Sequence, residues 1–174
     1  RDHSERMLSA MGVSLQREHT VDGIHTIRMA GHQRLEATHV SVPGDVSSAM
    51  FLMVAATIIP KSDVLLMGVG LNDTRSGAID VLRRMGANIS VENRVDSGGE
   101  PSGDLRVRHA ELVGTRISDQ EIPRLIDELP ILAVAACHAN GVTSVSNASE
   151  LRVKESDRLA ETVQLCRLRG VDAV

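Results

Sequence analysis

The sequence predicts an α/β (α+β) fold built from repeated βαβαββ units, and three observations lead there. One motif recurs: ERMLSAMGVSL at 5–15, IDVLRRMGANI at 79–89 and VQLCRLRGVDA at 163–173 each read as helix, glycine stop and strand. The stop glycines Gly12, Gly86 and Gly170 lie 74 and 84 residues apart, with Met7, Val81 and Leu165 at matching places before them. That spacing exceeds the period of common solenoids and suits a domain-scale unit of strand, helix, strand, helix and two strands. Between the copies, short β-branched segments alternate with helix-spaced apolar ones. Finally, 174 residues with 42% hydrophobic and 24% charged content suffice for one or two globular units with a real core.

In chain order, residues 1–11 read as a helix with Met7, Leu8 and Met11 on one face, and 13–15 begin a strand. Residues 24–29 alternate as a strand, and 40–42 are short and β-branched before a Pro43-Gly44 turn. Asp45, Ser47 and Ser48 offer capping oxygens to an apolar helix over 49–59. A strand at 64–67, a loop at 68–73 and a helix at 74–85 follow. Strands at 89 and 105–107 flank a turn-rich hairpin connection over 94–103. Beyond it the pattern gives a helix over about 123–139, a strand at 142–145 and a helix over 154–169. One unit thus occupies about 38–110, and a second, truncated one about 111–174.

Composition narrows the function. A formal charge of −4, a pI near 6.0 and a single aromatic residue, Phe51, argue against a nucleic-acid surface, which needs basic excess and stacking platforms. Cys137 and Cys166 lie in apolar helical patterns without CxxC spacing and read as buried, inert thiols. The evenly spaced His25, His32 and His39 have no Cys or HExxH partner, so no metal site is expected. The apolar run 49–60 is too short to span a bilayer and no signal segment opens the chain, so a cytoplasmic protein without membrane partners is expected. The chain opens at Arg1 without methionine and stops at Val174 as a strand begins, and so reads as a piece of something larger. GVGLND at 68–73 carries only a GxG and lacks the context of a nucleotide site.

The chemistry-bearing stretch is ELRVKESDRLAE at 150–161, where cations and carboxylates alternate. On composition alone it is a solvated helix start; its residues also offer charges for phosphate or carboxylate and carboxylates for moving protons. The run LRVKESDRL, together with PGDVSSAMF, VGLNDTR, DVLRRMGA, DLRVR and IPRLIDELPILAVAA, resembles the bacterial 5-enolpyruvylshikimate-3-phosphate synthases, and the match runs in order through essentially the whole chain. Full-length members are more than twice as long, so the resemblance implies an internal fragment.

The resemblance implies the enolpyruvyl transferase fold, an inside-out α/β barrel with three βαβαββ units in each of two domains. Residues 1–40 would end one domain and 41–174 form a partial second. It further implies transfer of the enolpyruvyl group of phosphoenolpyruvate to the 5-hydroxyl of shikimate 3-phosphate, without cofactor, in a monomeric enzyme of the shikimate pathway of aromatic amino acid and chorismate biosynthesis. Matched residue by residue, Asp127 is the carboxylate that contacts the shikimate hydroxyls and accepts a proton. Lys154 binds shikimate 3-phosphate, Glu155 handles a proton near the phosphoenolpyruvate methylene, and Arg158 holds phosphoenolpyruvate. Capping the helix at 129–136 is the competing reading of Asp127. Asp157 caps or pairs with a neighbour. Asp45 is first a cap and second a cleft residue. Glu150 stands where relatives can carry Asn, and Asp73 where the family usually has Pro. The alternatives are a non-catalytic fragment or shikimate 3-phosphate-binding module, a structural repeat, and the sister enzyme acting on UDP-N-acetylglucosamine, which lacks the KESDR run.

Overall fold

The computed structural model describes residues 1–19 and 25–174. Its elements follow from local chemistry. Helix α1 (His3–Ala10) is followed by β1 (Leu15–His19) and β2 (His25–Met29), an antiparallel pair. Ile24, expected to open the second strand, lies outside the described residues. Helix α2 (Val46–Ile58) starts at Asp45, whose carboxylate accepts from the Ser48 amide at 2.9 Å. Such a cap contributes about 1 kcal/mol. Strand β3 (Asp63–Gly70), helix α3 (Gly77–Arg84), β4 (Asn88–Ser97) and β5 (Glu100–Arg108) follow.

The sheet order is β3-β5-β4, antiparallel throughout, and β5 fills the centre. Its residues alternate inward and outward, with Leu105 and Val107 fully buried beneath α2 and α3. Met50, Met53, Leu82 and Met85 close on them to form the core. With almost no aromatic residues in the chain, flexible methionines do much of the filling.

Short parallel pairs follow: β6 (Leu112–Val113) and β7 (Arg116–Ile117) take β8 (Ala139–Asn140) and β9 (Ser144–Val145) as partners. Between them lie two 3-10 turns, Ile122–Arg124 and Ile126–Glu128, and helix α4 (Leu129–Ala136). A third 3-10 turn (Ser149–Val153) leads to α5 (Arg158–Leu168). Helix α4 packs against α2, α3 and α5.

The helix-and-glycine part of the repeat recurs as geometry, although the strand expected after the third copy does not form at 171–174. Gly12, Gly86 and Gly170 all have positive φ, +87°, +101° and +78°. After each, the next amide reaches back five residues: Val13 to the Leu8 carbonyl, Ala87 to Leu82 and Val171 to Cys166, at 3.0, 2.9 and 3.1 Å. The three helix ends share one Schellman-type closure, for which a left-handed glycine carries no Cβ penalty.

Four further expectations change in detail. Residues 40–42 form no strand: Pro43 lacks a donor, and only Gly44 bridges to Val69. The hairpin is tighter than its composition suggested, since β4 and β5 run up to a two-residue turn of Gly98 and Gly99, both at positive φ. The helix expected over 123–139 breaks into turns because Pro130 can sit in a first helical turn but cannot extend a helix arriving from Ile126. The helix expected from 154 starts at Arg158, where Asp157 caps the Ala160 amide at 2.9 Å.

Arg84 in the last turn of α3 ties that helix to the 115–121 segment, reaching Thr115, the Arg116 carbonyl and Glu121 at 2.8 to 2.9 Å. The Arg84 guanidinium and the Ser118 amide and hydroxyl, outweighing burial, pull the Glu121 carboxyl from 4.5 down to about 2. A depressed folded-state pKa stabilises above the unfolded value and ceases to do so as pH falls through the folded one. The stability gap between wild type and Glu121→Gln is therefore expected to be full at neutral pH and to shrink between about 4.5 and about 2 in urea melts. A gap that stays constant across that window would contradict this account.

Candidate anion-binding and proton-transfer site

The charged run and the Asp127 turn meet in space. Asp127 lies in the second 3-10 turn, ahead of the apolar helix α4, and Leu125, Ile126 and Leu129 are buried on the core side. Its half-exposed carboxylate faces the third turn and the start of α5. Lys154 Nζ stands 3.6 Å and Arg158 Nη1 3.7 Å from Asp127 Oδ1, and Arg158 Nη2 contacts Glu155 at 2.5 Å. All four residues singled out by resemblance, Asp127, Lys154, Glu155 and Arg158, thus fall in one cluster, and Glu150 sits at its rim 4.0 Å from Lys154.

Asp127 does not cap α4; the N-cap position belongs to Glu128, which makes no side-chain capping bond. Its carboxylate instead accepts from Arg1 Nη2 at 2.5 Å, across 126 residues of sequence. The sequence pattern places Arg1 in a helix over 1–11, and nothing in its neighbours signals this contact. The head of α1 is held there by its own network. Buried Asn72 donates to Asp2 at 2.9 Å and to Glu100 at 3.1 Å, Arg6 pairs with Asp2 at 2.8 Å, and His3 pairs with Glu100 at 2.7 Å. Asn72 belongs to the LNDTR segment, and its own oxygen accepts from Thr74.

The electrostatics separate the carboxylates. The Arg1 hydrogen bond, against the cost of burial and with Lys154 and Arg158 adding their charge, holds Asp127 below the usual carboxylate range. Glu155 is likewise held low, first by its own backbone amide and then by Arg158. Glu128 is the opposite case. It is 3% exposed, and burial pushes its carboxyl up despite a hydrogen bond from the Ser47 hydroxyl. Ser47 in turn accepts from Arg75 Nη2 at 2.7 Å, and the same nitrogen reaches Asp45 at 3.2 Å. Asp157, bonded to the Ala160 amide and to Arg152 at 2.9 Å, serves the helix start rather than the cluster.

The cluster has the makings of an anion site. Among the described residues, the Lys154 ammonium has carboxylate neighbours only at 3.6 and 4.0 Å and no hydrogen bond, so its three donors remain available. Half-exposed ion pairs of this kind contribute little and exchange readily for a better acceptor. Among the described residues no group of three or more His, Cys, Asp or Glu is arranged to hold a metal ion, and no helix is long and apolar enough to cross a membrane. Cys137 is half-buried and Cys166 buried, and burial followed by the neighbouring Cys166 pushes the Cys137 thiol up to about 11, away from a reactive thiolate.

Residues 1–174 match the family described as EPSP synthase (3-phosphoshikimate 1-carboxyvinyltransferase). A relative from Desulforamulus reducens, named 3-phosphoshikimate 1-carboxyvinyltransferase, is 50% identical over 98% of this chain and 38% of its own length. One of the same name from Gloeobacter violaceus is 56% identical over 92% of the chain and 36% of its own length. An EPSP synthase structure from Acinetobacter baumannii superposes with a TM-score of 0.87 at 39% identity, over 99% of this chain and 37% of the other. The chain therefore spans well under half the length of the relatives it matches.

Proposed function

The chain belongs to the EPSP synthase (3-phosphoshikimate 1-carboxyvinyltransferase) family, and from that premise we propose that it supplies one wall of a site transferring the enolpyruvyl group of phosphoenolpyruvate to the 5-hydroxyl of shikimate 3-phosphate. Phosphate is released, and the step serves aromatic amino acid biosynthesis through the shikimate pathway. The observation that carries this reading is the convergence of Lys154 and Arg158 on the ionised Asp127.

The chemistry needs cations for two phosphates and a carboxylate, a base for the hydroxyl and an acid for the methylene carbon. Asp127, charged at neutral pH, accepts the proton of the 5-hydroxyl as that oxygen attacks C2 of phosphoenolpyruvate. A proton delivered to C3 from Glu155 completes the tetrahedral adduct. Glu155, now a carboxylate, takes a proton back from C3 as the C2–O bond to phosphate breaks, which restores the C2–C3 double bond and gives the enol ether. Lys154 holds shikimate 3-phosphate, and Arg158 offers its planar fork to the phosphoenolpyruvate carboxylate or phosphate. When Arg158 turns to that ligand, Glu155 loses its 2.5 Å partner and its proton affinity rises, which suits a donor. Arg1, hydrogen-bonded to Asp127, is a further cation beside that base.

On this reading residues 1–40 end one domain and 41–174 form part of a second, with units at about 38–110 and 111–174, and the chain works as part of a cytoplasmic, monomeric enzyme needing no cofactor. The test is phosphate release from shikimate 3-phosphate and phosphoenolpyruvate, by the chain alone and with the remaining segments of a relative added. Release only on complementation is the expected result. Release by the chain alone would contradict the one-wall reading, and silence of the complemented protein would contradict the site. A chain that binds shikimate 3-phosphate without turnover after complementation would favour a binding module.

A further inference from the structure

Glu128 stands beside the proposed base yet touches neither Lys154, Glu155 nor Arg158 through any described ion pair or hydrogen bond. A carboxyl that is 3% exposed is costly to bury unless it is bonded, and this one is bonded to the Ser47 hydroxyl in the first turn of α2. Ser47 can donate to Glu128 because its lone pairs are already aimed at Arg75, whose guanidinium is anchored on Asp45. Asp45 is itself fixed by the Ser48 amide and hydroxyl at 2.9 and 2.8 Å. A continuous chain of four side chains thus runs from the α2 cap to the 126–128 turn. That turn does not continue into a regular helical ladder, since Pro130, in the first turn of the adjoining α4, has no amide to bond back to it.

We propose that Glu128 is the positioning residue of this site: bonded through Ser47 to the Arg75–Asp45 pair, it pins the 126–128 turn so that the adjacent Asp127 is held facing Arg1, Lys154 and Arg158. The proposal deepens the enolpyruvyl-transfer reading and rests on it for its kinetic consequences. The charged groups facing Glu128 are Arg75 from the segment before α3, Arg1 from the head of α1, and Asp127 on its own turn. Ser47 is the donor in this contact, so the bond asks of position 128 an acceptor oxygen aimed at the hydroxyl. A glutamine retains that oxygen; a leucine of similar volume does not.

The test uses full-length enzyme carrying this segment, with wild type compared with Glu128→Gln, Glu128→Leu and Ser47→Ala. Two quantities are read: steady-state kinetics, and titration of the Asp127 carboxyl carbon by 13C NMR. The Leu and Ala variants are expected to lower kcat by about 10- to 100-fold, the scale of a small misplacement of a reacting group. KM for shikimate 3-phosphate should change by less than about threefold, because Lys154 is untouched. In both variants the Asp127 midpoint should rise as its cations are lost, whereas Glu128→Gln should match wild type within about threefold in kcat and leave the midpoint in place. Glu128→Leu that does not fold leaves Ser47→Ala to decide. An unmoved Asp127 midpoint in Ser47→Ala, or a Glu128→Gln as damaging as the loss of Ser47, overturns the proposal. A wild-type protein without turnover would sink the enolpyruvyl-transfer reading instead, and the Asp127 titration would still decide this one.

Discussion

Asp127→Asn in the complemented enzyme is expected to lower kcat by about 10²- to 10⁴-fold, the contribution of a positioned acid or base, while shikimate 3-phosphate binding changes far less. Asparagine keeps the shape and one acceptor oxygen but cannot take the 5-hydroxyl proton. The pH dependence follows from the same carboxylate. Because Arg1, Lys154 and Arg158 hold Asp127 ionised below its usual range, the base form persists at mildly acidic pH, and the acid limb of kcat/KM should fall below the ordinary aspartate value. Removing the 2.5 Å Arg1 contact with Arg1→Ala should move that limb upward. Near-normal turnover in Asp127→Asn, measured as phosphate release, would remove Asp127 from the chemistry.

Lys154→Met is expected to weaken shikimate 3-phosphate binding by about 10- to 150-fold, the equivalent of the roughly 1.5–3 kcal/mol carried by a charged hydrogen bond. Methionine keeps the length and apolar stem and removes the three donors, which in the free chain have no hydrogen bond among the described residues. Loss of this half-exposed lysine should scarcely change thermal stability, because its ion pairs are long. Calorimetry with shikimate 3-phosphate distinguishes the outcomes: unchanged affinity would show that Lys154 serves only to neutralise Asp127 and Glu150.

These expectations rest on features that the sequence carried to different degrees. The run at 150–161 reads locally as a solvated helix start and takes its chemistry from the family wording, while the structure places Lys154 and Glu155 ahead of the helix and brings Lys154 and Arg158 to Asp127. Asp127 was visible through its family wording, but its local surroundings favoured a capping role that it does not perform. Ser47 and Asp45 were legible as cap residues, and Asp45 caps as expected. Ser47 does something the cap signal could not indicate, because its partner Glu128 is 81 positions away.

What the sequence determined by itself is what hydrogen bonds over three to five residues dictate. The three glycine-stopped helix ends, the alternation of β5 and the Asp45 and Asp157 caps are all of this kind, since each depends on side-chain and backbone groups within one turn or along one strand. Only the tertiary structure decided the rest. Whether Arg1 reaches Asp127 or Ser47 reaches Glu128 depends on how α1, α2 and the 126–128 turn are packed around the β3-β5-β4 sheet, and no local period encodes distances across 126 or 81 residues. The same holds for the ionisation of the two adjacent carboxylates: identical in chemistry, Asp127 and Glu128 diverge because one faces three cations and the other is buried against a hydroxyl.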